Sequence, residues 1–329
     1  FNQKKLDLNN YPNFVSFDSV ESENQNKLLD NERSIDDYSN KETSNEQLTL
    51  IIDDTVSYDR ISNSKFIDCT LNEGETHLFV VKKKFTFEDI EFSFPNTNIG
   101  AIKIDCSEKV TITNCKFTGC AVSNRLGSAI FVSPTSQKAT EESAFIYEFT
   151  GLTITQSQAD GFAIYIDNNH QSFLIQGGTF NFNQVTGNCG GIKLINIEKV
   201  EISKCTFSNV GNSGAVNYVH NDIDEAYSID VEECTFTECS GRVVQIDVKT
   251  GISDHISLLN NHYERCKKGD SDSIIFGITE TSNSILLTAK NNVLQNSQTS
   301  GYTVQFSLNA SPDNLDPIIF EDNTINFDD

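Results

Sequence analysis

VEISKCTF at 200–207 and IDVEECTF at 229–236 are one phrase written twice, 29 residues apart. Both read apolar-x-apolar-x-x-small-x-apolar, and both end on a phenylalanine, Phe207 and Phe236. Working outward, the phrase recurs as FLIQGGTF ending at Phe180 and VTITNCKF ending at Phe117, and it continues as ISLLNNHY to Tyr263, LTAKNNVL to Leu294 and IFEDNTI to Ile325. The frame extends back to Leu152 and Ile90. Successive marks are then 27, 35, 28, 27, 29, 27, 31 and 31 residues apart, a repeat of about 29.

A second apolar column keeps the same rhythm, centred on Ile102, Ile130, Ile164, Ile192, Val216, Val244, Ile275 and Val304. Small-residue turns such as GSAI, GFAI, GGI and SGAV precede it. In both columns apolar and polar residues alternate, which is the period of a strand and not of a helix. A sandwich of hairpins has no reason to return the same side chain at the same phase. A coil that stacks on itself does, because residue i lies over residue i plus one period, about 4.8 Å away. The predicted fold is therefore all-β, a right-handed parallel β-helix of about nine coils of roughly 29 residues each.

The corners agree with a stack. Three residues before the apolar mark stand Asn114, Gly177, Lys204, Glu233, Asn260, Asn291 and Asp322, mostly residue types that tolerate the left-handed backbone of a sharp bend. One place later come Cys115, Thr150, Gly178, Cys205, Cys234, Asn261, Asn292 and Asn323. Asn261, Asn292 and Asn323, one per coil, are expected to form an amide ladder, with Cys115, Cys205 and Cys234 as thiol fillers and Phe117, Phe180, Phe207 and Phe236 as stacked rings.

These residues carry a resemblance. The pattern resembles the right-handed β-helix of the pectate-lyase-like superfamily, with its asparagine ladder at a two-residue bend. CTFSNVGNSGAV, TFNFNQVTGNCGGI and NCKFTGCAVSNRLGSAI are similar to the FxxN and GGAI repeats of polymorphic outer-membrane-protein-like surface proteins. The resemblance covers roughly residues 60 to 329. It implies the fold and a surface role; FxxN and GGAI are packing motifs and imply no catalytic residue.

Residues 1–47 form an acidic, Asn-rich irregular segment, expected to dock on the first coil and shield its edge, with the β-helix domain at 48–329. The chain opens on Phe1 and stops in mid-pattern at INFDD, as expected of a piece of a longer parent. Its 47 acidic residues against 24 basic ones give a net charge of −23, which repels phosphate backbones and argues against nucleic acid. No apolar run approaches the roughly 20 residues of a membrane span.

Chemistry-bearing constellations are scarce. Polysaccharide lyases and hydrolases on such a scaffold need paired carboxylates or a calcium cluster with a basic residue. The signatures NTD with a following DD and GHG, and RIK, do not occur. Acidic neighbours at Asp53 and Asp54, at Asp222, Asp224 and Glu225, and at Asp270 and Asp272 read as solvated loops. A column Asp105, Ser133, Asp167, Ile195, Val219, Asp247 is interrupted by apolar residues. No catalytic residue, cofactor or metal site is expected. Of the nine cysteines, Cys115, Cys205 and Cys234 share one phase and Cys69, Cys120, Cys239 and Cys266 another, so they read as buried thiols. Bridges between Cys239 and Cys266 or between Cys205 and Cys234 stay open on spacing. The five histidines share no column.

Outward positions on the second column run Lys103, Phe131, Tyr165, Lys193, Asn217, Gln245, Phe276 and Gln305. Phe131 and Tyr165, neighbours on the outside, suit a glycan or a protein partner, unless the insertion at 133–143 covers them. One N-glycosylation sequon starts at Asn309. The expected function is a non-enzymatic, extracellular or surface-displayed structural or adhesive protein. Its partners would be other protein chains or surface glycans, homo- or hetero-polymers included. A polysaccharide-active enzyme and an intracellular scaffold are the alternatives.

Overall fold

The computed structural model describes residues 49–326 apart from 56–58, 72, 96–97, 123–126, 135–144, 156–160, 168–170, 183–188, 222–225, 249–251, 267–275, 281–285, 296–303 and 309–317. The expected segment 1–47, the sequon at Asn309 and most of the insertion after Ser133 lie outside the described residues. Three ten-stranded parallel sheets wind around one interior. The first runs from strand Leu50–Ile52 to Val304–Leu308, the second from Arg60–Ser62 to Ile318–Glu321, and the third from Lys65–Ile67 to Thr324–Asn326. Every described pairing is parallel between a strand and its counterpart one winding later, so the chain is a parallel β-solenoid. Each sheet has ten strands, close to the about nine coils expected.

Register puts like on like. Phe180 pairs with Phe207, and Phe207 with Phe236. Their ring centroids are 4.5 and 5.1 Å apart and the planes within 12° and 8° of parallel. Tyr263 extends the row at 4.8 Å, and a separate run joins Phe66, Phe92 and Phe117 at 5.4 and 5.0 Å. Burial of one such side chain contributes about 1.5–3 kcal/mol, so this row is a principal source of stability.

Two marks of the sequence frame shift by two residues. The ring column is completed by Phe92 and Ile154, not by Ile90 and Leu152. Thr150 correspondingly pairs with Thr113, and Leu152 holds the place beside Cys115 that the sequence assigns to Thr150. Leu152 holds its place between Cys115 and Gly178, the small residues at the same ladder position on the windings before and after it. In the second column Phe276, not Ile275, pairs with Val244 and Val304. Gly277 therefore takes the register place assigned to Phe276, between Gln245 and Gln305.

The bend is as regular as the rings. Asn63, Asp89, Asn114, Lys204, Glu233, Asn260, Asn291 and Asp322 all have φ between 49° and 56°, and Gly151 and Gly177 have 64° and 67°. Lys204 and Glu233 adopt this conformation although their Cβ atoms disfavour it, so the stack and not local propensity dictates the bend. After the bend, Asn261 Nδ2 donates to Val231 O at 2.8 Å and to Asn292 Oδ1 at 3.1 Å. Asn292 Nδ2 donates to Leu258 O and to Asn323 Oδ1, both at 2.9 Å. The expected amide ladder is present.

Candidate functional site

Strand alternation leaves one lane of the first sheet facing outward. Lys103 pairs with Phe131, Phe131 with Tyr165, Tyr165 with Lys193, and the lane goes on through Asn217 and Gln245. All four leading residues are half-buried. The Phe131 and Tyr165 rings lie 5.8 Å apart, tilted by 51°, so the sequence-predicted pair is brought together. Lys193 Nζ stands 5.9 Å from the Tyr165 ring and 5.6 Å from that of Phe162. Burial, then Asp167, raises the Tyr165 hydroxyl pKa above its ordinary value.

His77, unassigned from the sequence, supports this lane from beneath. Its ring stacks 5.8 Å from Phe131 and is buried. Nε2 donates to Gly127 O at 2.8 Å, and Nδ1 accepts from the Thr76 hydroxyl at 2.8 Å. A Cβ on Gly100 would lie 2.3 Å from the ring, so glycine there makes the passage. Burial lowers the His77 pKa to about 4, with Lys103 adding to the fall and the Gly127 bond opposing it. The signal in sequence is Gly100 one winding after His77, with Gly127 one winding beyond that.

A second lane escapes sequence reading. On the outer face of the second sheet Glu148, Leu174, Glu201 and Asp230 occupy successive windings in register. Asp230 Oδ1 meets His255 Nε2 at 2.8 Å. Glu232, two residues along the same strand, has its carboxyl pKa raised by burial and then by Asp230, Glu201 and Glu233. Glu148, Glu201 and Asp230 are 53 and 29 residues apart in the chain, so a search for sequence neighbours passes over the lane. Of the neighbours sequence reading did single out, Asp53 accepts from Thr55 N at 3.0 Å within its own turn, while 222–225 and 270–272 lie outside the described residues. The column from Asp167 through Ile195 and Val219 to Asp247 is in register as expected.

All nine cysteines are buried and none is bridged. Burial pushes the thiols of Cys69, Cys106 and Cys115 up to about 12, which keeps them protonated and unreactive. Among the described residues no group of three or more His, Cys, Asp or Glu is placed to hold a metal ion, and no helix is long and apolar enough to cross a membrane. Comparison of the chain with protein-family models, curated proteins and solved structures found no match.

Proposed function

We propose that this chain is a non-enzymatic structural or adhesive β-solenoid, displayed outside the cell or on its surface, that presents its lateral sheet faces to other macromolecules. The observation that carries this reading is the row Lys103, Phe131, Tyr165, Lys193 on a regular ladder face, where paired aromatic rings and two cations offer stacking and charge to a glycan or a protein. The similarity of its repeats to FxxN and GGAI surface proteins points the same way. Binding to an array of neutral and acidic glycans, and to an immobilised sample of the protein itself, is expected to fall at least tenfold in Phe131→Ala/Tyr165→Ala. Unchanged binding on every surface would remove the reading.

One observation favours polysaccharide cleavage instead, the carboxylate lane with Asp230 held by His255 beside Glu201 and Glu232. Release of reducing ends or unsaturated sugars by the native protein, lost in Asp230→Asn, would establish that reading.

A further inference from the structure

The basic and acidic lanes of this molecule are opposite in charge and equal in span. Lys103 and Lys193 are three windings apart on the first sheet, and Glu148 and Asp230 are three windings apart on the second. Each interval is about 14 Å at 4.8 Å per winding. Several other cations are matched within the chain: Lys109 to Glu148 at 2.7 Å, Lys290 to Glu321 at 2.9 Å, Arg265 to Glu238 at 3.0 Å, Lys116 to Glu91 at 3.2 Å. Lys103 and Lys193 meet no carboxylate at ion-pair distance among the described residues, in a chain of 47 acids.

We infer that the first-sheet face of one copy docks laterally on the second-sheet face of another copy of this chain, axes parallel, with the acidic partner displaced by one winding. This rests on the structural reading above and names its partner. The geometry is specific. Two solenoids of the same hand standing side by side with parallel axes bring strands of opposite direction face to face, as two wheels turning alike move oppositely where they touch. Along a first-sheet strand the Lys103–Lys193 lane comes first and the Asp105–Asp167 lane two residues later. Along a second-sheet strand the order is Lys199 and then Glu201. Reversal therefore sets base against acid in both lanes at once. With the one-winding displacement Lys103 faces Glu148, Phe131 faces Leu174, the Tyr165 hydroxyl faces Glu201, Lys193 faces Asp230, and Asp167 faces Lys199. A face ten strands tall and five residues wide offers roughly 700 Å², near the ~800 Å² per partner of a specific interface. Like-charge crowding around Glu232 is relieved by an incoming cation. Because the two faces differ, the contact is heterologous and propagates into a raft or filament.

The test is sedimentation velocity over a concentration series. Association should be greatest near about 0.15 M salt, weaker below it because copies of charge −23 repel, and absent near about 1 M where the lanes are screened. Lys103→Glu/Lys193→Glu and Glu148→Gln/Asp230→Asn, each with native melting temperature, should each be monomeric; mixed in equal amounts they should form dimers and stop there. Carbodiimide coupling of mixed light and heavy-isotope protein should give intermolecular Lys103–Glu148 and Lys193–Asp230 links, with Lys109–Glu148 as the internal control. A native protein monomeric throughout, or variants that associate as the native protein does, would overturn the inference. In the first case glycan binding lost in Phe131→Ala/Tyr165→Ala would leave the adhesive reading standing, and in the second polymerisation through another face would leave the structural one.

Discussion

Cys205 and Cys234 stand where Asn261, Asn292 and Asn323 stand on the three windings that follow, and both residue types address the same backbone carbonyl. Cys205 Sγ lies 3.9 Å from Ile175 O and Cys234 Sγ 3.6 Å from Ile202 O, each with a shorter contact of 3.3 Å to the carbonyl two residues back, Ser203 O and Glu232 O. The register equivalents downstream receive amide donors, Val231 O at 2.8 Å and Leu258 O at 2.9 Å. A thiol is a weak donor and a small apolar filler; an amide donates twice and accepts as well. The two chemistries meet where Cys234 N donates to Asn261 Oδ1 at 3.0 Å. The ring column changes at the same boundary, from Phe207 and Phe236 through Tyr263 to Leu294 and Ile325. Upstream windings are thus held by ring stacking around soft corners, and downstream ones by directional hydrogen bonds around an aliphatic centre. One fold accommodates both because the backbone ladder is common to them.

The largest expected effect tests the polar exception in the upstream part. His77 is neutral when buried and carries a pKa near 4 against about 6.5 in an unfolded chain. Between those values the unfolded state binds more protons, so stability is full above about pH 6.5 and falls as pH drops toward 4, by about 3 kcal/mol in all. Urea unfolding across that range should show the loss, and His77→Gln should flatten it while leaving Asn-ladder windings unaffected by hydrogen exchange. Next in size, Asn292→Leu should destabilise by about 1–3 kcal/mol in chemical denaturation, since it strips donors from Leu258 O and Asn323 Oδ1 and an acceptor from the Asn261 amides. A neutral outcome would reduce the amide corner to a filler like the thiols. Cys234→Asn should extend the ladder by one winding and stabilise by about 1 kcal/mol in the same measurement; destabilisation would mean that the Phe207–Phe236 surroundings demand a small residue there. Smallest, Tyr263→Phe should raise the melting temperature slightly, by about 0.5 kcal/mol of stability, because its buried hydroxyl has no hydrogen-bond partner among the described residues.

Legibility followed repetition. Phe180, Phe207 and Phe236 announce their stacking because the same residue returns at the same phase, and the bend at Asn260, Asn291 and Asp322 follows from residue type. Lys204 and Glu233 bend with them through position alone. Ile90 and Leu152 misled the frame because the slot before the ring admits a large residue wherever a neighbouring winding supplies a small one. Phe131 beside Tyr165 was legible from the same phase argument. The Glu148–Asp230 lane and His77 were not, because charge on an outer face obeys no packing periodicity and a side chain that crosses a winding leaves only a glycine as its trace.

The parallel register has a consequence for how such a chain comes into being. Residues paired across windings are separated by as few as 23 positions, as Phe79 and Ile102 are, and by 37 where the insertion intervenes, at Phe117 and Ile154. No contact of the ladder waits for a distant part of the polypeptide, so each turn can close on its predecessor as it emerges from the ribosome, the growing end always resting on finished structure. Duplication or loss of a whole turn in the gene then alters only how tall the molecule stands, making height the cheapest property for evolution to change.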